Sequence, residues 1–365
     1  MKRIFSSLFL LGLIVLSCTE SDDSSDTTGT TNDNFDRQAM LVYWADQLIV
    51  PGYTELSQEA QDLDDALVAF QNSVNQTTLD NLRAAYVNAN LAFQNVAMYN
   101  IGPAESLDLR ARLNTYPVDV TQLMANLSAG NANLALPSNR DTQGFPALDY
   151  LLYAGDDSQV LARFSTDTDA TLAMDYLQQV VPAISDLCDD VLDEWTTNYR
   201  DAFVAATSSS ATGSVDQLVN DFMFYYEKNL RAGKVGIPAG VFSSQPLPDT
   251  VESLYEANGK RYLLESLDAV QGFFNGNGTN SLAGYLDTLN AQKNGADLSQ
   301  LINDQFDTAR TQITSLQADL SNQVSTDNMS MLMAYDELQR NVVLMKVDMF
   351  SALSINVDFV DADGD

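Results

Sequence analysis

Histidine is absent from this chain of 365 residues. Its absence excludes Ser-His-Asp and Cys-His catalysis within the chain, because both mechanisms use an imidazole as the general base. It also excludes a catalytic zinc site built on histidine ligands. A metal ion in this protein would therefore lie among oxygen ligands, which suit hard cations such as calcium, magnesium or ferric iron.

Basic residues are scarce as well. The chain has 18 lysines and arginines against 50 aspartates and glutamates, which gives a net charge of −32. This excess argues against nucleic acid and anionic lipid as partners, because both bind to basic surfaces. Cations and basic proteins are the natural partners of an acidic surface, although such a surface also serves solubility alone.

Cysteine occurs only twice, as Cys18 and Cys188. Cys188 lies on an apolar helical stripe with Ile184, Leu187 and Val191, which predicts burial in a core rather than redox or metal chemistry. If Cys18 carries lipid, no disulfide within the chain is available to Cys188.

The first 34 residues predict export and anchoring. Residues 1–17 begin with Lys2 and Arg3 and continue in an apolar run that is short for a membrane span, as in a signal peptide. The run ends directly before Cys18 and resembles the lipobox of bacterial lipoproteins, so we expect lipid on Cys18 to attach the protein to a membrane. Residues 18–34 predict a disordered tether. These features indicate an outer-membrane lipoprotein in a Gram-negative cell envelope, facing the periplasm or the surface.

From Phe35 onward the apolar residues follow a helical period. One predicted helix buries Leu63, Leu67 and Phe70, and the next is predicted to begin after Thr78 as its N-cap. Pro182 predicts a kink or a break in a long helix over 167–200. Strand signals are scarce and no hairpin is expected. The pattern predicts an all-α fold with bundle packing.

Two later segments stand out from the helical pattern. Residues 231–250, RAGKVGIPAGVFSSQPLPDT, contain three glycines and three prolines and predict an irregular loop. Loops of this length usually have a function or pack on another element. Residues 359–365 form an acidic tail that resembles the start of a calcium loop but lacks its downstream glutamate, so we expect a solvated tail.

The stretch GFPALDYLLYAGD, residues 144–156, predicts the start of a helix. Proline is favourable at the first helical position, where Pro146 would lie, and Asp149 would then interact favourably with the helix dipole in the first turn. On spacing alone, this interpretation needs no function.

The same stretch resembles the signature of the imelysin-like family, also called the M75 peptidases, which is Gly-x-His-x-x-Glu. Two further regions agree: Gly102-Pro103 leading to Tyr116-Pro117, and residues 234–240 followed by Val-Glu-Ser at 251–253. The resemblance covers most of residues 35–358. It implies two packed helical bundles, over 35–165 and 166–358, with a site at their interface. For the family it implies peptidase activity in some members and binding of a metal or an iron complex in others.

This chain departs from the signature at its chemical positions. Gly144 matches the glycine, but Pro146 occupies the histidine position and Asp149 the acid position. Proline neither ligates a metal nor relays a proton, so metallopeptidase chemistry through this motif is not expected.

We expect a ligand site in which the segment after residue 230 folds over the helix that carries Asp149. Its candidate residues are Gly144, Asp149, Tyr150, Arg231, Lys234 and Glu252, with Asp149 and Glu252 as ligands for iron or another hard cation. The alternative is that Glu252 is a first-turn acid of a helix and Arg231 a C-terminal helix cation.

Three functions remain open at this stage. The first is a membrane-anchored lipoprotein that binds iron, an iron complex or another ligand for uptake, without catalysis. The second is a peptidase that works through carboxylates without histidine. The third is an acidic module that binds another protein of the cell envelope.

Overall fold

Helices make up nearly all of the regular structure in the computed structural model, which describes residues 35–130 and 132–359. The predicted signal peptide at 1–17, the predicted tether at 18–34 with Cys18, and residues 360–365 of the predicted tail lie outside the described residues. Within the part that is described, no helix combines the length and the apolar character needed to cross a membrane.

The α-helices of the first half are α1 (Arg37–Tyr43), α2 (Val50–Asn72), α3 (Gln76–Val96), α4 (Pro103–Ser106), α5 (Leu109–Asn114), α6 (Val120–Ala129), α7 (Gly144–Tyr153), α8 (Asp157–Arg163) and α9 (Ala170–Glu194). Those of the second half are α10 (Arg200–Ala205), α11 (Ser214–Phe224), α12 (Ile237–Ala239), α13 (Gly259–Asn275), α14 (Leu282–Thr288), α15 (Leu298–Thr314), α16 (Leu320–Thr326), α17 (Asn328–Val342) and α18 (Phe350–Leu353). Four segments have the wider π-helical winding: Trp44–Ile49, Trp195–Tyr199, Tyr225–Gly236 and Val343–Met349. Two 3₁₀ turns, Pro137–Thr142 and Pro248–Thr250, and two strands, β1 (Gln292–Lys293) and β2 (Ala296–Asp297), complete the described elements.

The long helices pack in two groups. In the first group α2 packs against both α3 and α9, and in the second α15 packs against α13 and α17. The groups meet where α13 packs against α3. The predicted all-α fold is confirmed. The predicted division between residues 165 and 166 stays a prediction.

Helix α3 shows how the sequence specifies this packing. Its predicted apolar face is buried throughout, from Leu79 to Val96. The predicted N-cap is wrong by three residues: Asn75 caps the helix, and Thr78 is the third residue inside it. The Asn75 side chain accepts from the Thr78 N–H at 3.2 Å, and the Thr78 hydroxyl accepts from the Asn75 N–H at 3.3 Å. This reciprocal pair satisfies two N–H groups that a helix start otherwise leaves unpaired.

The predicted irregular loop at 231–250 is wrong in its first part. Residues up to Gly236 continue a π-helical segment, α12 follows directly, and the irregular chain begins at Gly240. The glycines at 233 and 236 permit close packing rather than a turn. A Cβ on Gly236 would lie 2.8 Å from the rings of Phe242 and Tyr335.

Two other expectations also need correction. Helix α9 runs through Pro182 without a break, so of the two predicted outcomes, a kink or a break, the break is wrong. A short hairpin that was not predicted joins β1 to β2 through Asn294 and Gly295, which both have positive φ, at 54° and 81°. An Asn-Gly pair of this conformation is the usual two-residue hairpin turn.

Cys188 is a buried free thiol, as predicted. Burial raises the pKa of this thiol, so its reactive thiolate form is suppressed. In a Cys18→Ser variant, which leaves Cys188 as the sole cysteine, we expect a thiol reagent such as DTNB to react only slowly with the native protein. Reaction should become rapid above the denaturation midpoint. Rapid stoichiometric labelling of the native state would contradict the buried position.

Candidate functional site

Asp149 lies on α7 with its side chain pointing into the protein, where only 3% of the residue is exposed. Its two carboxylate oxygens accept the backbone N–H groups of Tyr255 and Glu256 at 2.9 and 2.8 Å. The segment that follows residue 250 therefore folds over this helix, later in the chain than the predicted segment 231–250. Asp149 holds the backbone of that segment and is not a free first-turn acid.

Gly144 permits the close approach that places α7. Its φ is +67°, and a Cβ at this position would lie 2.3 Å from the Leu113 carbonyl oxygen at the end of α5. Helix α7 begins at Gly144, so Pro146 is its third residue. The prediction that Pro146 is the first residue of the helix is wrong. The first-turn position is still compatible with proline, since N–H groups there have no partner within the helix.

Burial dominates the acid–base properties of Asp149. It raises the pKa of this carboxyl group to about 7, against the lowering effect of the two backbone hydrogen bonds. The nearby negative charges of Glu256 and Glu252 raise the pKa further. Asp149 is thus a carboxyl group that exchanges a proton near neutral pH.

Lys234 and Glu252 form a buried ion pair beside Asp149. The Lys234 ammonium donates to Glu252 Oε2 and, at 2.9 Å, to Gln94 Oε1. Glu252 Oε1 accepts from the amides of Asn114 at 2.7 Å and Gln94 at 3.1 Å. Each of the two charged residues is 3% exposed, and burial lowers the pKa of Lys234. The structure thus brings together two of the predicted site residues.

Arg231 and Tyr150 do not join this pair. The Arg231 guanidinium donates to the Tyr335 hydroxyl at 2.7 Å and lies 3.7 Å from the Glu227 carboxylate. The ring of Tyr150 packs edge-on against Tyr255, with 5.1 Å between the ring centroids. Arg231 therefore contributes to packing between its π-helical segment and α17.

Glu252 lies in the loop after Thr250, before α13 begins, so it is not a first-turn acid of a helix.

Sequence reasoning missed the polar partners of the pair. Gln94 and Asn90 lie one turn apart among the buried residues of α3, and Gln94 donates to Asn90 Oδ1 at 2.8 Å. Ser266 on α13 donates to Gln94 Oε1 at 2.8 Å. Two amides on an otherwise apolar helix face were the available signal, because buried amides need partners.

A cavity of about 550 Å³ opens at the signature motif. Its wall is formed by Tyr116, Pro117, Val118, Pro146, Asp149, Asp249, Val251, Ser253, Leu254 and Tyr255. Pro146 and Asp149, which occupy the histidine and acid positions of the motif, both line it. A cavity of this volume accommodates a small molecule.

The residues around this cavity do not fit a bare hard cation. Within residues 35–130 and 132–359, no group of three or more cysteine, aspartate or glutamate side chains is arranged to hold a metal ion. Both Asp149 oxygens accept N–H groups, and Glu252 faces the Lys234 ammonium. The side-chain oxygens of Asn114 and Asn229 are buried and accept no hydrogen bond. They do not change this conclusion, because both residues line another cavity, of about 30 Å³, together with the cationic side chains of Lys234 and Arg110.

Comparisons with known proteins agree with this fold. The family model of imelysin, peptidase M75, matches residues 49–344. Iron-regulated protein A of Synechococcus elongatus is 26% identical over 129 residues, which are 34% of this chain and 35% of that protein. The chain thus spans about a third of that relative's length.

Two crystal structures share the fold. An imelysin-like protein from Psychrobacter arcticum has a TM-score of 0.71 and 18% identity, over 88% of this chain and 97% of that one. A protein from Parabacteroides distasonis described as an iron-regulated protein A precursor has a TM-score of 0.69 and 16% identity, over 86% and 95%.

The Gly144→Ala variant should be destabilised by about 2 kcal/mol or more, because a Cβ there is strained by positive φ and meets the Leu113 carbonyl. Gly272→Ala is the matched control, since Gly272 lies inside α13 and a Cβ there would meet no other atom within 4 Å. We expect the control to be more stable by about 0.5–1 kcal/mol. Urea unfolding of both variants tests the prediction, and equal stability of the two would contradict it.

Asp149 should make the protein less stable as the pH rises from about 4 to about 7. Its folded-state pKa of about 7 exceeds the unfolded value of 3.8, so the folded protein retains a proton that the unfolded chain has lost in this window. The contribution is at most about 4 kcal/mol, at about 1.4 kcal/mol per pH unit. The free energy of unfolding of wild type minus that of Asp149→Asn, measured at several pH values, isolates it: this difference should fall as the pH rises. A difference that does not change with pH would contradict the raised pKa.

Proposed function

Because the imelysin model matches most of its length, this chain belongs to the imelysin (peptidase M75) family, and we propose that it is a non-catalytic binding protein of the cell envelope. Its ligand occupies the cavity that Pro146 and Asp149 line. Lipid on Cys18 holds the protein at the outer membrane, as residues 1–34 predict, and the folded part receives the ligand for uptake.

The observation that carries this proposal is the 550 Å³ cavity at the motif itself. The cavity is present although Pro146 replaces the residue that would supply chemistry. Both carboxylate oxygens of Asp149 accept backbone N–H groups, and these hydrogen bonds fix the part of the wall formed by Ser253, Leu254 and Tyr255. A fixed cavity whose motif acid is held by two backbone N–H groups suits binding better than bond cleavage.

The class of the ligand follows from which oxygen atoms around the cavity are able to coordinate a metal ion. A bare iron ion would need several oxygen ligands, which the tied carboxylates do not supply. An iron complex brings its own ligands and needs only a cavity of suitable size with a few polar groups. Iron-regulated protein A of Synechococcus elongatus and the protein from Parabacteroides distasonis are both named for regulation by iron, which supports a role related to iron. We therefore assign an iron complex as the ligand.

One observation favours a second candidate, a peptidase that works through carboxylates. A carboxyl group with a pKa of about 7 on a cavity wall has the acidity that a general acid–base residue needs. The nearest acidic partners are already engaged, since Glu252 pairs with Lys234 and Glu256 accepts from Ser253 and Tyr262 at 2.8 and 2.7 Å. Hydrolysis would need one of these contacts to open, or would use Asp249, the exposed acid of the same wall.

Calorimetric titration of the purified protein tests the proposal. We expect ferric citrate or haemin to bind with a stoichiometry of one, and ferrous ammonium sulfate not to bind at this cavity. Val118→Trp, at a partly buried position of the wall, should fill the cavity and lower the affinity at least tenfold. Val68→Trp is the control, because Val68 is 50% exposed and outside the cavity.

The outcomes separate the candidates. Binding that Val118→Trp removes and Val68→Trp retains supports the proposal. Stoichiometric binding of the free ion, or no binding of either complex, would overturn the assignment of an iron complex. Cleavage of a casein-derived peptide mixture that Asp149→Asn abolishes would establish the peptidase instead.

A further inference from the structure

A second large cavity, of about 530 Å³, lies away from the signature motif. Its wall includes Gly102, Glu105, Arg110, Tyr199, Asp221 and Phe224, and none of its lining residues lines the motif cavity. The end of the described chain closes one side, where the Asp358 N–H donates to Asn220 Oδ1 at 3.1 Å and Phe359 packs edge-on against Phe224 at 5.5 Å.

Three aromatic rings face this cavity: Tyr199, Phe224 and Phe359. Tyr199 is held in place on two sides. Its ring lies flush against Gly102, where a Cβ would be 2.4 Å from the ring, and Trp195 packs against it at 4.8 Å between centroids. The Tyr199 ring is therefore fixed before a ligand binds. The other two rings already carry cations of the protein, since the Arg110 guanidinium lies 5.3 Å from the Phe224 centroid and the Lys346 ammonium 4.9 Å from the Phe359 centroid.

The only arginine in the described wall is neutralised within the protein. Arg110 donates to both oxygens of Asp221, at 2.9 and 3.3 Å, and to the Ala97 carbonyl at 3.0 Å. Asp221 also accepts the Asn100 N–H at 2.7 Å. This pair neutralises the charge of the guanidinium and so weakens its attraction for an anion.

The remaining charges of the wall are negative. Glu105 and Asp358 are exposed to the cavity, and no lysine or arginine of the described residues forms an ion pair with either. Burial raises the pKa of the Tyr199 hydroxyl, and the negative charge of Glu105 raises it further. A carboxylate and an aromatic ring thus act on the same space.

We propose that this cavity binds a small organic cation, a protonated amine or a quaternary ammonium group, between the ring of Tyr199 and the carboxylate of Glu105. Aromatic faces attract cations through their quadrupole, and a nearby carboxylate adds Coulomb attraction. A volume of about 530 Å³ accommodates a small molecule. The wall presents no free cation, so it selects against anions. This site does not depend on the function proposed for the motif cavity.

Calorimetric titration of the full-length protein at about 0.15 M salt, which screens general attraction to the acidic surface, tests the site. The probes are choline chloride and spermidine, with sodium citrate as the anion control. We expect at least one cation to bind with a stoichiometry of one and citrate not to bind. Glu105→Gln should weaken binding about fivefold or more, and Tyr199→Leu about threefold or more.

Two controls locate the bound cation. Glu55→Gln removes the same charge from an exposed position outside the cavity and should leave the affinity unchanged. Val118→Trp fills the motif cavity and should also leave it unchanged. The Tyr199→Leu result is used only if this variant retains the wild-type circular dichroism spectrum. Glu105 is exposed, so Glu105→Gln is not expected to disturb the fold.

Several results would overturn the proposal. They are no binding of either cation, equal weakening by Glu105→Gln and Glu55→Gln, or loss of binding in Val118→Trp. Choline binding that depends on Tyr199 would assign a quaternary ammonium ligand. Spermidine binding that depends mainly on Glu105 would assign a primary amine.

Discussion

The buried ion pair between Lys234 and Glu252 is the constraint on which the site depends. Removing two charges from water is costly, and the cost is offset only when every remaining donor and acceptor finds a partner. Those partners come from separate elements: Gln94 from α3, Asn114 from α5 and, through Gln94, Ser266 from α13. Loss of one member of such a pair costs about 3–5 kcal/mol. The pair therefore fixes the point at which the two groups of helices meet.

The same pair positions the signature motif. Glu252 lies a few residues before Tyr255 and Glu256, whose N–H groups Asp149 accepts. The ion pair of Glu252 with Lys234 places this backbone over α7. Asp149, on α7, then holds the same backbone by accepting its N–H groups. A glutamate would extend one methylene further, towards the space that the loop occupies here. In this chain the acid of the motif fixes the backbone of the loop, and Pro146 at the histidine position adds no side-chain ligand or proton relay beside it.

Local features of this fold could be predicted from the sequence, and long-range polar contacts could not. The apolar period of α3 follows from neighbouring residues, so it was accessible. Gly144 could be matched to the motif, but the Leu113 carbonyl that requires a glycine there lies on α5. Asp149 has the local pattern of a first-turn acid, and its partners lie more than 100 residues away in sequence. Gln94 and Glu252 are 158 residues apart. The helical course of 231–236 was also hidden, because its glycines serve close packing, a property of the neighbouring elements rather than of the segment itself.

Burial gives this protein the acid–base behaviour near neutral pH that histidine usually provides. Among the described residues, burial raises the pKa of Asp149 to about 7 and that of Asp216 to about 6. Asp149 lines the motif cavity, so the charge of a ligand there acts on its proton. A negatively charged ligand raises this pKa by the same repulsion that Glu252 and Glu256 exert, and therefore binds with proton uptake. A cationic ligand has the opposite effect. A chain without histidine can in this way couple ligand binding to pH through a single desolvated carboxyl group.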